Sequence, residues 1–102
     1  MAIDLFCYAA HEKNDVAISL KHLVATNQAL FSQKFLVSDP RRANAVHREI
    51  ASEFGLNAHS LFLIRVNDKS AAGHIPEVAT AVKGELGKDK VVILMENEKL
   101  IE

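Results

Sequence analysis

Four short apolar runs, separated by three amphipathic stretches, constrain this chain more than any other feature. The runs cover residues 2–8, 34–37, 60–66 and 90–95. Between the first two, Val16, Leu20, Leu23 and Val24 recur at the i, i+4, i+7, i+8 spacing of one helix face. Ala43, Val46, Ile50 and Phe54 give a second stripe within residues 40–54, and Ile75, Val78, Val82 and Leu86 a third. Strands alternating with helix-length connections predict a single α/β domain over residues 1–102. Its expected core is a four-stranded, mostly parallel or mixed sheet with three helices packed on it. Residues 99–101 offer a short C-terminal edge strand.

The ends of these elements carry their own signals. Asn14 is suited to cap the first helix, which runs to about Gln28. Asp39 and Pro40 read as the cap and first position of the second, with Arg41, His47, Arg48 and Ser52 nearer its outside. Gly55 and Gly87 read as stops. In the first strand Ile3, Leu5 and Cys7 share one face, Phe6 and Tyr8 the other. A strand apolar on both sides is an inner one. Asp4, near its amino end, is expected to pair with a Lys or Arg or to reach water at the sheet's end. If the sheet is parallel, functional loops lie at the carboxyl ends of the strands: residues 9–15, 38–42, 67–74 and 96–98.

Composition narrows the function classes. Apolar residues make up 49%, charged residues 25%, and the formal charge is −1, an ordinary globular balance. No apolar run approaches the roughly 20 residues that cross a bilayer, and no signal-like leader precedes the first strand, so a cytoplasmic location is expected. The lone Cys7 has apolar neighbours and reads as a small buried hydrophobe. Arg41, Arg42 and Arg48 are the nearest thing to a basic patch, too sparse for direct nucleic-acid binding. The tail carries Glu96, Glu98, Lys99 and Glu102, which favours a basic partner.

No catalytic constellation emerges. The loop after the first strand lacks glycine, so the phosphate-cradling fingerprints are absent. His11, His22, His47, His59 and His74 include no helical i, i+4 metal pair. No cofactor or metal is expected. His11, His74 and Asp39 would be available to one another only if their loops converge. The alternative reading is a small α/β enzyme or anion-binding domain using Arg41 and Arg42 at a helix N-terminus. A blander one is self-association through an apolar edge.

The order and spacing of several short phrases carry a resemblance. They are the opening Met1-Ala2-Ile3-Asp4-Leu5-Phe6-Cys7-Tyr8, then Leu30-Phe31 and Lys34-Phe35-Leu36, then Glu49-Ile50-Ala51 with Glu53 and Gly55-Leu56. Further on come Phe62-Leu63, Asn67-Asp68-Lys69, Ile75-Pro76 with Val78, and Ile93-Leu94 with Asn97-Glu98. Along its whole length the chain resembles the immunity proteins of bacterial contact-dependent growth inhibition systems, in the group that neutralises transfer-RNA-cleaving toxins. The resemblance implies a cytoplasmic inhibitor, not an enzyme, that binds the C-terminal nuclease domain of a cognate toxin one to one. A nuclease holds phosphates with cationic groups, so its blocker profits from carboxylates. Asp39, Asp68, Glu96 and Glu98, supported by Glu12, Asp15 and Glu102, are the candidate toxin-binding residues.

Overall fold

The computed structural model describes residues 3–31, 35–67 and 69–101, without the side chain of Lys69. Its strands are β1 (Ile3–Ala9), β2 (Phe35–Val37), β3 (Arg41–Arg42), β4 (Ser60–Val66), β5 (Val91–Met95) and β6 (Lys99–Leu100). Its helices are α1 (Lys13–Thr26), α2 (Gln28–Phe31), α3 (Ala45–Ser52) and α4 (Ile75–Leu86), with a 3-10 segment at Lys69–His74.

β1 is the inner strand, as its two apolar faces require. The sheet order is β2-β4-β1-β5-β6, with β3 also paired to β4. Every pairing is antiparallel, which corrects the mostly parallel, four-stranded expectation. The helical crossovers do link parallel strands, β1 to β2 and β4 to β5. An antiparallel strand sits between the members of each pair, however: β4 in the first, β1 in the second. This is the split β-α-β arrangement. Hydropathy reports that a crossover contains a helix, not whether the returning strand lands beside the one it left.

One face of the sheet is sealed. Leu5, Cys7 and Ala9 of β1, with Phe62, Ile64 and Val66 of β4, are buried beneath α1 and α4. The expected stripes supply the cover: Val16, Leu20 and Leu23 are buried, as are Ile75, Val78, Val82 and Leu86. Pro76 lies in the first turn of α4 and Gly87 ends it at φ 96, a conformation open to glycine. α1 begins at Lys13, with Glu12 instead of Asn14 at its cap position.

The second helix departs most from expectation. α3 starts at Ala45, because Asn44 caps it reciprocally. The Asn44 side chain accepts the His47 N–H at 2.9 Å, and the His47 ring accepts the Asn44 N–H at 3.2 Å. Arg41 and Arg42 belong instead to β3, opposite Leu61 and Ser60. They therefore do not stand at a helix N-terminus, and the anion-binding alternative loses its geometry. The expected inward stripe is displaced too. Ala51 is the buried residue of α3, while Val46 is exposed and Ile50 only half-buried. An alanine lets the helix lie close to the sheet, and the larger apolar groups roll to its flank.

The C-terminal edge strand is present as β6. The turn before it holds Glu96 and Asn97 at φ 53 and 61, and the Glu98 N–H bonds the Met95 carbonyl at 3.1 Å. Three residues separate the paired Met95 and Lys99, and the two successive positive φ values let the chain reverse tightly between them.

Candidate functional site

An antiparallel sheet puts carboxyl ends of strands at both of its ends, so the loops chosen from a parallel sheet do not form one surface. Glu12 is exposed where α1 leaves β1, with its carboxylate 3.6 Å from the His59 ring. Asp15 is exposed in the first turn of the same helix. Glu96 and Glu98 lie at the opposite end of β1, in the β5–β6 turn. Asp39 stands apart from both, exposed between β2 and β3 on the lip of a groove of about 490 Å³ that Leu20, Val24 and Pro40 also line. Asp68 and Glu102 lie outside the described residues.

The histidines are scattered as well. His11 sits at 2.8 Å from the Leu86 carbonyl, at the end of α4, and His74 at 3.2 Å from Glu77, at its start. The length of α4 separates them by roughly 16 Å. They do not meet each other or Asp39. Among the described residues no group of three His, Cys, Asp or Glu is placed to hold a metal. Burial pushes the Cys7 thiol far up, so it carries no thiolate reactivity.

The second sheet face is a different environment. Along it Asp4, Phe6 and Tyr8 of β1 stand opposite Arg65, Leu63 and Leu61 of β4, and Leu36 of β2 stands opposite Arg65. α3 and the chain that follows it cover only part of these rows, burying Tyr8, Leu61, Val92 and Leu94 around Ala51, Leu56 and Ala58. Phe6 and Leu63 remain half-buried and Leu36 is exposed. Among the described residues, four of the five exposed large apolar ones are on this side: Leu36 at 58%, Val46 at 61%, Phe54 at 37% and Leu100 at 38%. The fifth, Ile18, is on α1.

Polar groups at the rim are held in place. Arg65 donates to both Asp4 carboxylate oxygens, at 2.9 and 3.3 Å, the partner expected for Asp4. That hydrogen bonding and the charge of Asp4, with a smaller contribution from Glu96, hold the Arg65 proton more firmly. The backbone N–H of Asp4 donates to the Glu96 carboxylate at 3.0 Å, and the Glu96 N–H to the Asp4 carbonyl at 2.8 Å. The Tyr8 hydroxyl donates to Asn97 Oδ1 at 2.6 Å, and its ring tilts against that of His47 with centroids 6.2 Å apart. The β5–β6 turn is thus tied to β1 at two points. Burial raises the Tyr8 pKa, and the Asn97 bond partly offsets this.

This arrangement can bind by covering surface. Sequence reasoning missed Leu36, Leu63, Val46 and Phe54 as surface groups. The available signal was that Leu36 falls in a run too short to be central.

The comparisons with known proteins agree in kind. The profile of the family described as "CDI System Immunity Component" matches residues 1–99. The chain is 39% identical over 98 residues to immunity protein CdiI-2 of Burkholderia pseudomallei strain 1026b, covering 96% of this chain and 97% of that one. It also superimposes, with a TM-score of 0.92 and 37% identity, on a chain of the CdiA-CT/CdiI toxin and immunity complex from Burkholderia pseudomallei. That match covers 96% of this chain and 95% of the other. The protein belongs to the immunity-component family of contact-dependent growth inhibition systems.

Proposed function

We propose that this protein binds the C-terminal toxin domain of its own system and neutralises it. The toxin is read as a nuclease that cleaves transfer RNA, and the inhibitor as a one-to-one cytoplasmic partner that keeps the RNA out. It needs no cofactor and does not touch the nucleic acid itself. The observation that carries this reading is likeness over nearly the full length of both chains to a structure described as a toxin and immunity complex. Among the described residues no helix is long and apolar enough to cross a membrane.

The nuclease part rests on the resemblance and on charge. A surface evolved to hold phosphates is met by carboxylates. Glu96 and Glu98, which share the β5–β6 turn, are proposed as the centre of that surface. Asp39, on its separate lip, Asp68 and Glu102 are proposed to contribute as well, and Glu12 with Asp15 where the toxin reaches the other end of the sheet. The test is to incubate the cognate toxin domain with transfer RNA and increasing amounts of this protein. Cleavage should stop near equimolar inhibitor; cleavage that persists in excess would sink the assignment. Charge reversal of Asp68 and Glu98 together should slow association severalfold at low salt.

A further inference from the structure

α3 is short, amphipathic and only partly seated. Arg48 lines a polar hollow with Glu12, Arg42 and His59, at the end of the sheet where β1 finishes. Val46 and Ile50 stand two residues to either side of Arg48, and so lie about 160° around the helix from it. They face away from that hollow, toward the half of the sheet that α3 leaves uncovered. Ile50 on the helix flank and Phe6 on the open sheet pack against the same buried cluster. Leu36 and Leu63 line a shallow trough with Asp4 and Arg65, Phe6 stands opposite Leu63, and Val46 and Ile50 lie on the flank of α3. The base of the trough is apolar and its rim is the Asp4–Arg65–Glu96 network.

Charge says what kind of partner fits. The cation at the rim, Arg65, is already held by Asp4. Lys99 alternates with Leu100 along β6 and so points to the other face. Arg41, opposite Leu61, is on this face too, but at its β3 margin, away from the Leu36–Leu63 floor. Glu49 and Glu53 on α3 and Glu98 in the β5–β6 turn are exposed, and none has an ion-pair partner among the described residues. Unpaired carboxylates therefore stand on the outer face of α3, which lies about 160° from the buried Ala51, and in the β5–β6 turn.

We propose that this trough is the toxin-docking surface, occupied by an apolar segment of the toxin domain bracketed by lysine or arginine side chains. The proposal rests on the reading of the protein as a toxin-binding inhibitor and adds the face that does the binding. Apolar anchors at the centre supply affinity, and the flanking charges supply rate and orientation.

The experiment measures binding of the cognate toxin domain to four variants of the full chain. Each is first checked for a wild-type circular dichroism spectrum and melting temperature. Val46→Arg and Leu36→Arg alter exposed side chains and leave the core intact; each should weaken binding by about tenfold or more. Ile18→Arg, on the helix layer behind the sheet, should stay within about twofold of wild type. The double change Glu49→Lys with Glu53→Lys should slow association severalfold, with the difference shrinking as salt is raised. Folded Val46→Arg and Leu36→Arg proteins that bind like wild type would overturn the choice of face, while transfer-RNA protection by the wild type would stand. An unchanged association rate in the lysine pair would remove the cationic bracket. Failure of the wild type to bind would take down the underlying reading and this one together.

Discussion

The two faces of the sheet use the same strands to opposite ends. On one, α1 and α4 bring long aliphatic side chains down onto β1 and β4, and little apolar surface stays wet. On the other, α3 contributes chiefly Ala51, and the larger residues beside it stay exposed. Small residues seat a helix closely without covering much area, so neighbouring apolar groups remain available. One face is covered by two helices, and the other, only partly covered, is the face proposed for the partner.

The sharpest way to break that contrast is to truncate each side. Ile64→Ala, in the sealed layer, should destabilise the protein by about 3 kcal/mol, read from the urea midpoint. The Cys7 thiol beside it should react with a thiol reagent only as fast as the protein opens globally. Prompt labelling of native protein would contradict a sealed layer.

Next in size come the ties on the partner-facing side. Tyr8→Phe removes the hydroxyl bonded to Asn97 and should cost about 1.5 kcal/mol. Tyr8 and Cys7 also give the alkaline behaviour. Both pKa values are raised by burial from their ordinary 10.0 and 9.0, so the folded state keeps protons that the unfolded chain releases. Their contribution to stability is complete below those ordinary values and falls as pH rises beyond them. A urea midpoint that holds constant between pH 9 and pH 11 would contradict this. Asn44→Ala, which breaks the reciprocal cap of α3, should cost about 1 kcal/mol. The smallest effect is the most telling: Leu36→Ala should change stability by no more than about 0.5 kcal/mol while weakening toxin binding. A loss as large as that of Ile64→Ala would mean that Leu36 belongs to the core.

Much of the fold was legible in residue patterns. Val16, Leu20 and Leu23 repeat at the helical period, and in α4 Ile75, Val78, Val82 and Leu86 do so with a proline at the start and Gly87 at the stop. β1 read as an inner strand because Leu5, Cys7, Phe6 and Tyr8 leave it no polar side. Strand direction was not legible, because a crossover to a neighbour and a crossover over an intervening strand have the same hydropathy. The start of α3 was misread because Asp39-Pro40 satisfies local helix-start chemistry. The winning cap, Asn44 with His47, depends on a ring nitrogen that sequence statistics rank below a Glu or Gln. The docking face was hidden for a related reason. Val46, Ile50 and Phe54 have helical spacing, which identifies an apolar stripe but not whether the sheet or a partner covers it. Asp4 and Arg65 meet across β1 and β4, a pairing that only register reveals.

One further property follows from the edges of the sheet. An inhibitor with an uncovered apolar face must coexist with copies of itself, and a sheet invites addition at its outer strands. Here the outer strand on one side is interrupted at Ser38–Asp39–Pro40 and resumes as the exposed pair Arg41 and Arg42. On the other side β6 is two residues long. A break carrying a proline, which has no N–H to give, followed by two like charges is a poor template for another strand. The arginines that sequence reading offered to an anion thus have a different use: they discourage fibril-like stacking of a protein whose binding surface stands open.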